Sequence, residues 1–130
     1  MQKAYLVDTH ALLWFLAGDD AISENAKTLL LDTTNRCYVS IASLWEIAIK
    51  IKLGKLSIDA DFKQLAELLY QNDIEIIQIT FEHIAGLMDL DDIHRDPFDR
   101  IIISTALVED IPVITKDQNF PKYKNLKVIW

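Results

Sequence analysis

A three-layer α/β sandwich is the architecture to expect from this chain, and three observations point to it. Short runs of strand character alternate with stretches whose apolar residues recur at helical spacing. Most of the helical stretches are opened by a side chain able to cap them or closed by a glycine. Only three of 130 residues are glycine and three proline, while 51% are hydrophobic, a composition suited to one folded domain over residues 1–130.

Ala4 to Val7 reads as a short buried strand, and Ala11-Leu12-Leu13-Trp14-Phe15-Leu16 as a mostly buried helix ended by Gly18. Ser23 caps a second helix through Leu31, with Glu24 in its first turn. Cys37-Tyr38-Val39 is the second strand, after which Ser40 opens a long helix to about Leu53, stopped by Gly54. The Phe62, Leu65, Ala66, Leu69 spacing predicts a helix over Asp61 to Tyr70. Ile74 to Ile79 is the third strand, and Thr80 caps a helix holding Ile84, Leu87 and Met88. Asp96-Pro97 starts a further helix to about Val108, since proline is favoured in the first turn. Val113-Ile114-Thr115 and Val128-Ile129 are the last two strands. Strands separated by helices favour a short, mostly parallel sheet covered on both faces.

A single cysteine, Cys37, cannot form an intramolecular disulfide and fits a reduced, cytoplasmic setting. Asp8 interrupts the apolar run Tyr5-Leu6-Val7, which argues against a cleavable signal. The apolar stretch Ala11 to Ala17 is far short of the roughly 20 residues a membrane span needs. The net charge is −7, from 13 basic and 20 acidic residues, whereas simple nucleic-acid binders are basic on the binding face. An acid excess is either a solvated surface or a set of acids converging to hold divalent cations, which would reverse the local sign. Composition does not choose between them.

The positions of four acids do bear on that choice. In open α/β sheets ligands bind beyond the carboxyl ends of the strands. Asp8 directly follows the first strand and Asp117 stands two residues after Thr115. Glu46 lies in the first two turns of the helix opened by Ser40, and Asp99 in the first turn after Asp96-Pro97. All four fall at one sheet edge. Each also has a plain structural reading: Asp8 as a helix cap, Asp99 as a favourable charge at a helix start, Asp117 in a local turn. Glu46 is harder to dismiss, because it interrupts an apolar run from Ile41 to Ile49 and a buried carboxylate needs partners. Singly, three of the four favour structure; together they favour a metal site. Mg²⁺ and Mn²⁺ prefer oxygen ligands, and phosphodiester hydrolysis needs an activated water and relief of charge in the transition state. Thr9 adds a hydroxyl beside Asp8.

The residues then resemble a known family. Asp8-Thr9-His10, Ser40 with Glu46-Ile47, Lys50 and Gly54, His94-Arg95-Asp96-Pro97-Phe98-Asp99-Arg100, and Thr115-Lys116-Asp117 with Phe120 and Tyr123 are similar in order to PIN-domain nucleases, with the nearest likeness to bacterial toxins of the VapC type. The resemblance covers essentially the whole chain. It implies a PIN-like five-stranded parallel sheet, Mg²⁺- or Mn²⁺-dependent endoribonuclease activity, a homodimer, and an antitoxin partner encoded nearby in a type II toxin–antitoxin pair. It carries the acidic positions onto Asp8, Glu46, Asp99 and Asp117. Where Asp-Ala is usual in the third motif this chain has Asp99-Arg100, which leaves open a share of the ligand role for Asp96.

Thr9, Arg100 and Lys116 are the candidate substrate-binding residues, the last two because they adjoin proposed ligands. His10, His83 and His94 have no metal-ligand spacing and read as surface or packing residues. Two other classes compete. A receiver-type phosphoacceptor domain requires an acceptor aspartate after the third strand, where this chain has Thr80-Phe81-Glu82. A catalytically silent PIN-like binding module requires no acids at all, and their retention argues against it.

Overall fold

The computed structural model describes residues 2–130. Five strands, β1 (Ala4–Val7), β2 (Arg36–Ser40), β3 (Ile74–Ile77), β4 (Val113–Ile114) and β5 (Val128–Ile129), form a sheet in the order β3-β2-β1-β4-β5. Every strand pairing in it is parallel. The helices among the described residues are α1 (Thr9–Ala17), α2 (Glu24–Leu31), α3 (Ile41–Lys52), α4 (Leu65–Gln71), α5 (Phe81–Gly86) and α6 (Pro97–Glu109). None is long and apolar enough to cross a membrane.

Strand side chains alternate between two faces, and here both faces are apolar. Tyr5 and Val7 of β1 join Cys37, Val39, Ile74 and Ile114 in one core, closed by residues of α1, α2 and α4 with Leu44 and Ile47 of α3. Leu6 and Val113 point the other way, onto Ile102, Ile103 and Ala106 of α6 together with Phe120 and Tyr123. The strands therefore read as continuous apolar runs, and the three-layer sandwich follows.

Several element boundaries differ from the sequence reading: β2 extends to Arg36 and Ser40, and β4 ends at Ile114 with Thr115 just beyond it. The third strand stops at Ile77, because its pairing partner β2 ends at Ser40, opposite Ile77, where α3 begins. The segment from Asp61 opens as a 3-10 turn over Phe62–Gln64, held by a reciprocal Asp61–Gln64 capping box, before α4 begins at Leu65. Leu87 and Met88 lie in a 3-10 turn beyond α5.

Strand order sets the site. The chain runs outward from β1 through β2 to β3, then crosses back with α6 to lay β4 and β5 on the other side. The order reverses between β1 and β4, and the crevice beyond the carboxyl ends of two such strands is where open α/β sheets bind ligands.

Candidate active site

Asp8 leaves β1 and becomes the N-cap of α1. Its Oδ1 accepts the Ala11 amide at 2.8 Å, and its Oδ2 accepts the Thr115 hydroxyl from the end of β4. The same Thr115 oxygen accepts the Asp117 amide at 3.0 Å, so one side chain fixes both acids of the switch point. Asp117 Oδ1 accepts the Asn119 amide at 2.7 Å. Asp8 is buried, and burial drives its carboxyl above the usual range despite the Thr115 and Ala11 hydrogen bonds, which pull the other way.

Glu46 projects from α3, which Ser40 caps through the Ala42 amide. It is only 4% exposed. Its Oε2 accepts from Lys50 Nζ at 2.8 Å, one turn on, while its Oε1 is buried with no hydrogen-bond partner. Asp99 stands in the first turn of α6. Burial raises its carboxyl to about 7, and the charges of Asp96, Asp117, Glu46 and Asp8 push in the same direction. Each of those acids is thus close enough for its field to be felt at Asp99. Asp8, Glu46 and Asp117 lie within electrostatic reach of Asp99, and Asp8 and Asp117 share one depression.

Asp96 sits differently. Its Oδ1 accepts the Phe98 and Asp99 amides at 2.9 and 3.1 Å, which makes it the N-cap of α6 ahead of Pro97. Thr9 is buried, and its hydroxyl donates to Ser43 at 2.8 Å, tying α1 to α3. The Arg100 guanidinium lies against the loop before α6, where Nη1 donates to the carbonyls of Asp91 and His94 and to the Tyr123 hydroxyl. Of the three expected substrate contacts, only Lys116 is exposed, at a depression lined by Asp8, His10, Trp14, Asp117 and Gln118. Its Nζ lies 5.9 Å from the centre of the Trp14 ring.

Sequence reasoning gave no role to Thr115 or Ser43, and it set His94 aside. His94 Nε2 lies 3.3 Å from Asp99 Oδ2, and Nδ1 lies 2.7 Å from the Tyr123 hydroxyl. These residues stood inside the matching motifs, but their roles depend on contacts that spacing does not reveal.

Among the described residues, no three His, Cys, Asp or Glu side chains form a ready-made ligand cage. The donor set nevertheless fits a hard divalent cation. All its donors are carboxylate oxygens, one of them is buried without a partner, and the charged form of Asp99 is opposed by its neighbours. Mg²⁺ suits such a donor set, since it keeps several waters and is usually held by one or two carboxylates.

A family model described as PIN domain matches residues 5–126. The chain belongs to the PIN domain family. No curated protein sequence matches it. This PIN domain is similar in fold to VapBC2 from Rickettsia felis bound to a DNA fragment from their promoter, at 17% identity and TM-score 0.71 over 97% of each chain. It is also similar to the DNA-bound VapBC from Salmonella typhimurium, at 14% identity and TM-score 0.70 over 99% of this chain and 98% of that one. A third likeness is to VapBC-5 from Mycobacterium tuberculosis, a member of the VapBC family of toxin-antitoxin systems, at 21% identity and TM-score 0.62 over 97% of each.

Proposed function

We propose that this PIN domain is an Mg²⁺- or Mn²⁺-dependent endoribonuclease, one domain over residues 1–130, acting as the toxin of a type II toxin–antitoxin pair. The observation that carries this reading is the buried Glu46 carboxylate, whose Oε1 has no hydrogen-bond partner. The raised carboxyl of Asp99, which feels the charge of Glu46 and of three other acids, supports it. Asp8, Glu46, Asp99 and Asp117 would hold the ion, with Asp96 serving as the helix cap. When bound, the ion supplies a polarised water for attack and positive charge beside the phosphate oxygens.

The chain's own residues supply the rest. Asp8 is held by the Ala11 amide and the Thr115 hydroxyl, so it meets a ligand already oriented. Lys50 holds one oxygen of Glu46 and leaves the other free. Lys116, exposed beside Asp8 and Asp117, is positioned to draw an RNA phosphate toward the acids. A negatively charged backbone would otherwise be repelled by a chain of net charge −7.

Similarity to VapBC structures supports the toxin reading and an antitoxin partner. Cytoplasmic action, a homodimer and a neighbouring gene for that partner are what the family resemblance adds to the proposal. Such a partner is expected to reach the carboxylates with an arginine, whose planar fork pairs with them bidentately. The test is cleavage of single-stranded RNA by the purified chain. Cleavage should need Mg²⁺ or Mn²⁺, stop with excess EDTA, and be lost in Asp8→Asn with the fold intact. Full cleavage in EDTA would overturn the metal mechanism, and folded protein inert with both ions would leave a silent binding module.

A further inference from the structure

We infer that His94 is a positioning residue for Asp99, set by a hydrogen-bond relay that runs from Arg100 through the Tyr123 hydroxyl. The inference rests on the reading of Asp99 as a cation ligand and adds what orients it.

The relay starts at Arg100. Arginine carries only donors, so at 3.1 Å the Tyr123 oxygen accepts from Arg100 Nη1. In the relay we assign, the phenol turns its own proton to His94 Nδ1, 2.7 Å away. A ring that accepts at Nδ1 carries its proton on Nε2, and that N–H faces Asp99 Oδ2 at 3.3 Å. One carboxylate oxygen is engaged and Oδ1 is left for the ion. Every member is held in place. Tyr123 is 3% exposed, and its ring packs against the imidazole with centroids 5.5 Å apart. Phe120 stands 6.4 Å from the same ring. Arg100 also grips the His94 carbonyl at 3.3 Å, fixing the backbone that carries the imidazole. Because Arg100 follows Asp99 on α6, the relay begins and ends on adjacent residues of one helix. Partners of this kind around a metal ligand are worth about 10- to 100-fold in metal affinity or activity.

A simple staple for the 91–94 loop would also use these bonds, but it would not touch cation affinity. The deciding experiment is a Mn²⁺ titration of the full chain, followed by calorimetry. Wild type binds; Asp99→Asn does not. Tyr123→Phe, which keeps the packed ring, and His94→Ala should each weaken binding by about 10- to 100-fold. His94→Gln, which restores an N–H near the Nε2 position, should recover most of it. In RNA cleavage the same variants should lower kcat and leave KM nearly unchanged. Nitrogen-15 spectra of the Mg²⁺-saturated protein should show Nδ1 bare and Nε2 protonated. Wild-type Mn²⁺ affinity in both Tyr123→Phe and His94→Ala, or a proton on Nδ1, would overturn the relay while leaving the cation site standing. A wild-type chain that binds no Mn²⁺ would remove the cation site and the relay with it.

Discussion

Asp99 concentrates the electrostatic argument. Its carboxyl ordinarily ionises near 3.8 but is raised to about 7 in the fold, by burial first and by its acidic neighbours after that. Between those values the folded chain keeps a proton that the unfolded chain gives up. Stability from this group is therefore fully present below about 3.8 and is lost as pH rises through about 7. In EDTA, Asp99→Asn should melt increasingly above wild type as pH rises across that window, and the gap should level off beyond it. A gap independent of pH would mean that Asp99 is not under this strain. Asp96 should behave as a cap: Asp96→Ser keeps a side-chain acceptor at the helix start and should keep most of the cleavage activity. Its replacement by alanine should cost about 1 kcal/mol in urea unfolding. Individual acids were legible as candidates because each follows a strand or opens a helix. Thr115 was not, since its bond to Asp8 spans 107 positions of sequence and no local pattern announces it.

Helix starts carried most of what the sequence disclosed about the elements. Asp8, Ser23, Ser40 and Thr80 were all readable as N-caps, and each accepts an amide in the first turn of its helix. Strand ends were less legible, because they depend on a partner: β3 stops where β2 turns into α3, not where its own apolar residues stop. Contact between α5 and α6 was also unreadable. It rests on Gly86, where an added Cβ would come within 2.5 Å of Ser104 Oγ, a hydroxyl already donated to the His83 carbonyl. Gly86→Ala should therefore destabilise the fold, by about 1 kcal/mol or more, as overpacked cores do. Adding Ser104→Ala makes room for that methyl group. The double variant should lose less than the two single losses added, and strict additivity in urea unfolding would contradict this account of the packing.

The molecule as a whole carries a charge of −7, and the charges of Asp8, Glu46, Asp96 and Asp117 are all felt at Asp99. A cation that binds only the folded state must stabilise it, by about 2.7 kcal/mol at a hundred times its Kd. Mn²⁺ should accordingly raise the melting temperature by several degrees, and Asp8→Asn should lose most of that gain. Layer order and sheet edge were legible from strand and helix alternation alone. The reversal between β1 and β4 was not, although it is what brings Asp8, Thr115 and Asp117 together. The central claim is that Asp8, Glu46, Asp99 and Asp117 hold one divalent-ion site. Anomalous diffraction from crystals grown with Mn²⁺ tests it most directly. A peak within bonding distance of carboxylate oxygens of Asp8 and Asp99, facing Glu46 and Asp117, is the expected result. Well-ordered crystals with no peak in that crevice, or with Mn²⁺ bound only at other carboxylates, would contradict it.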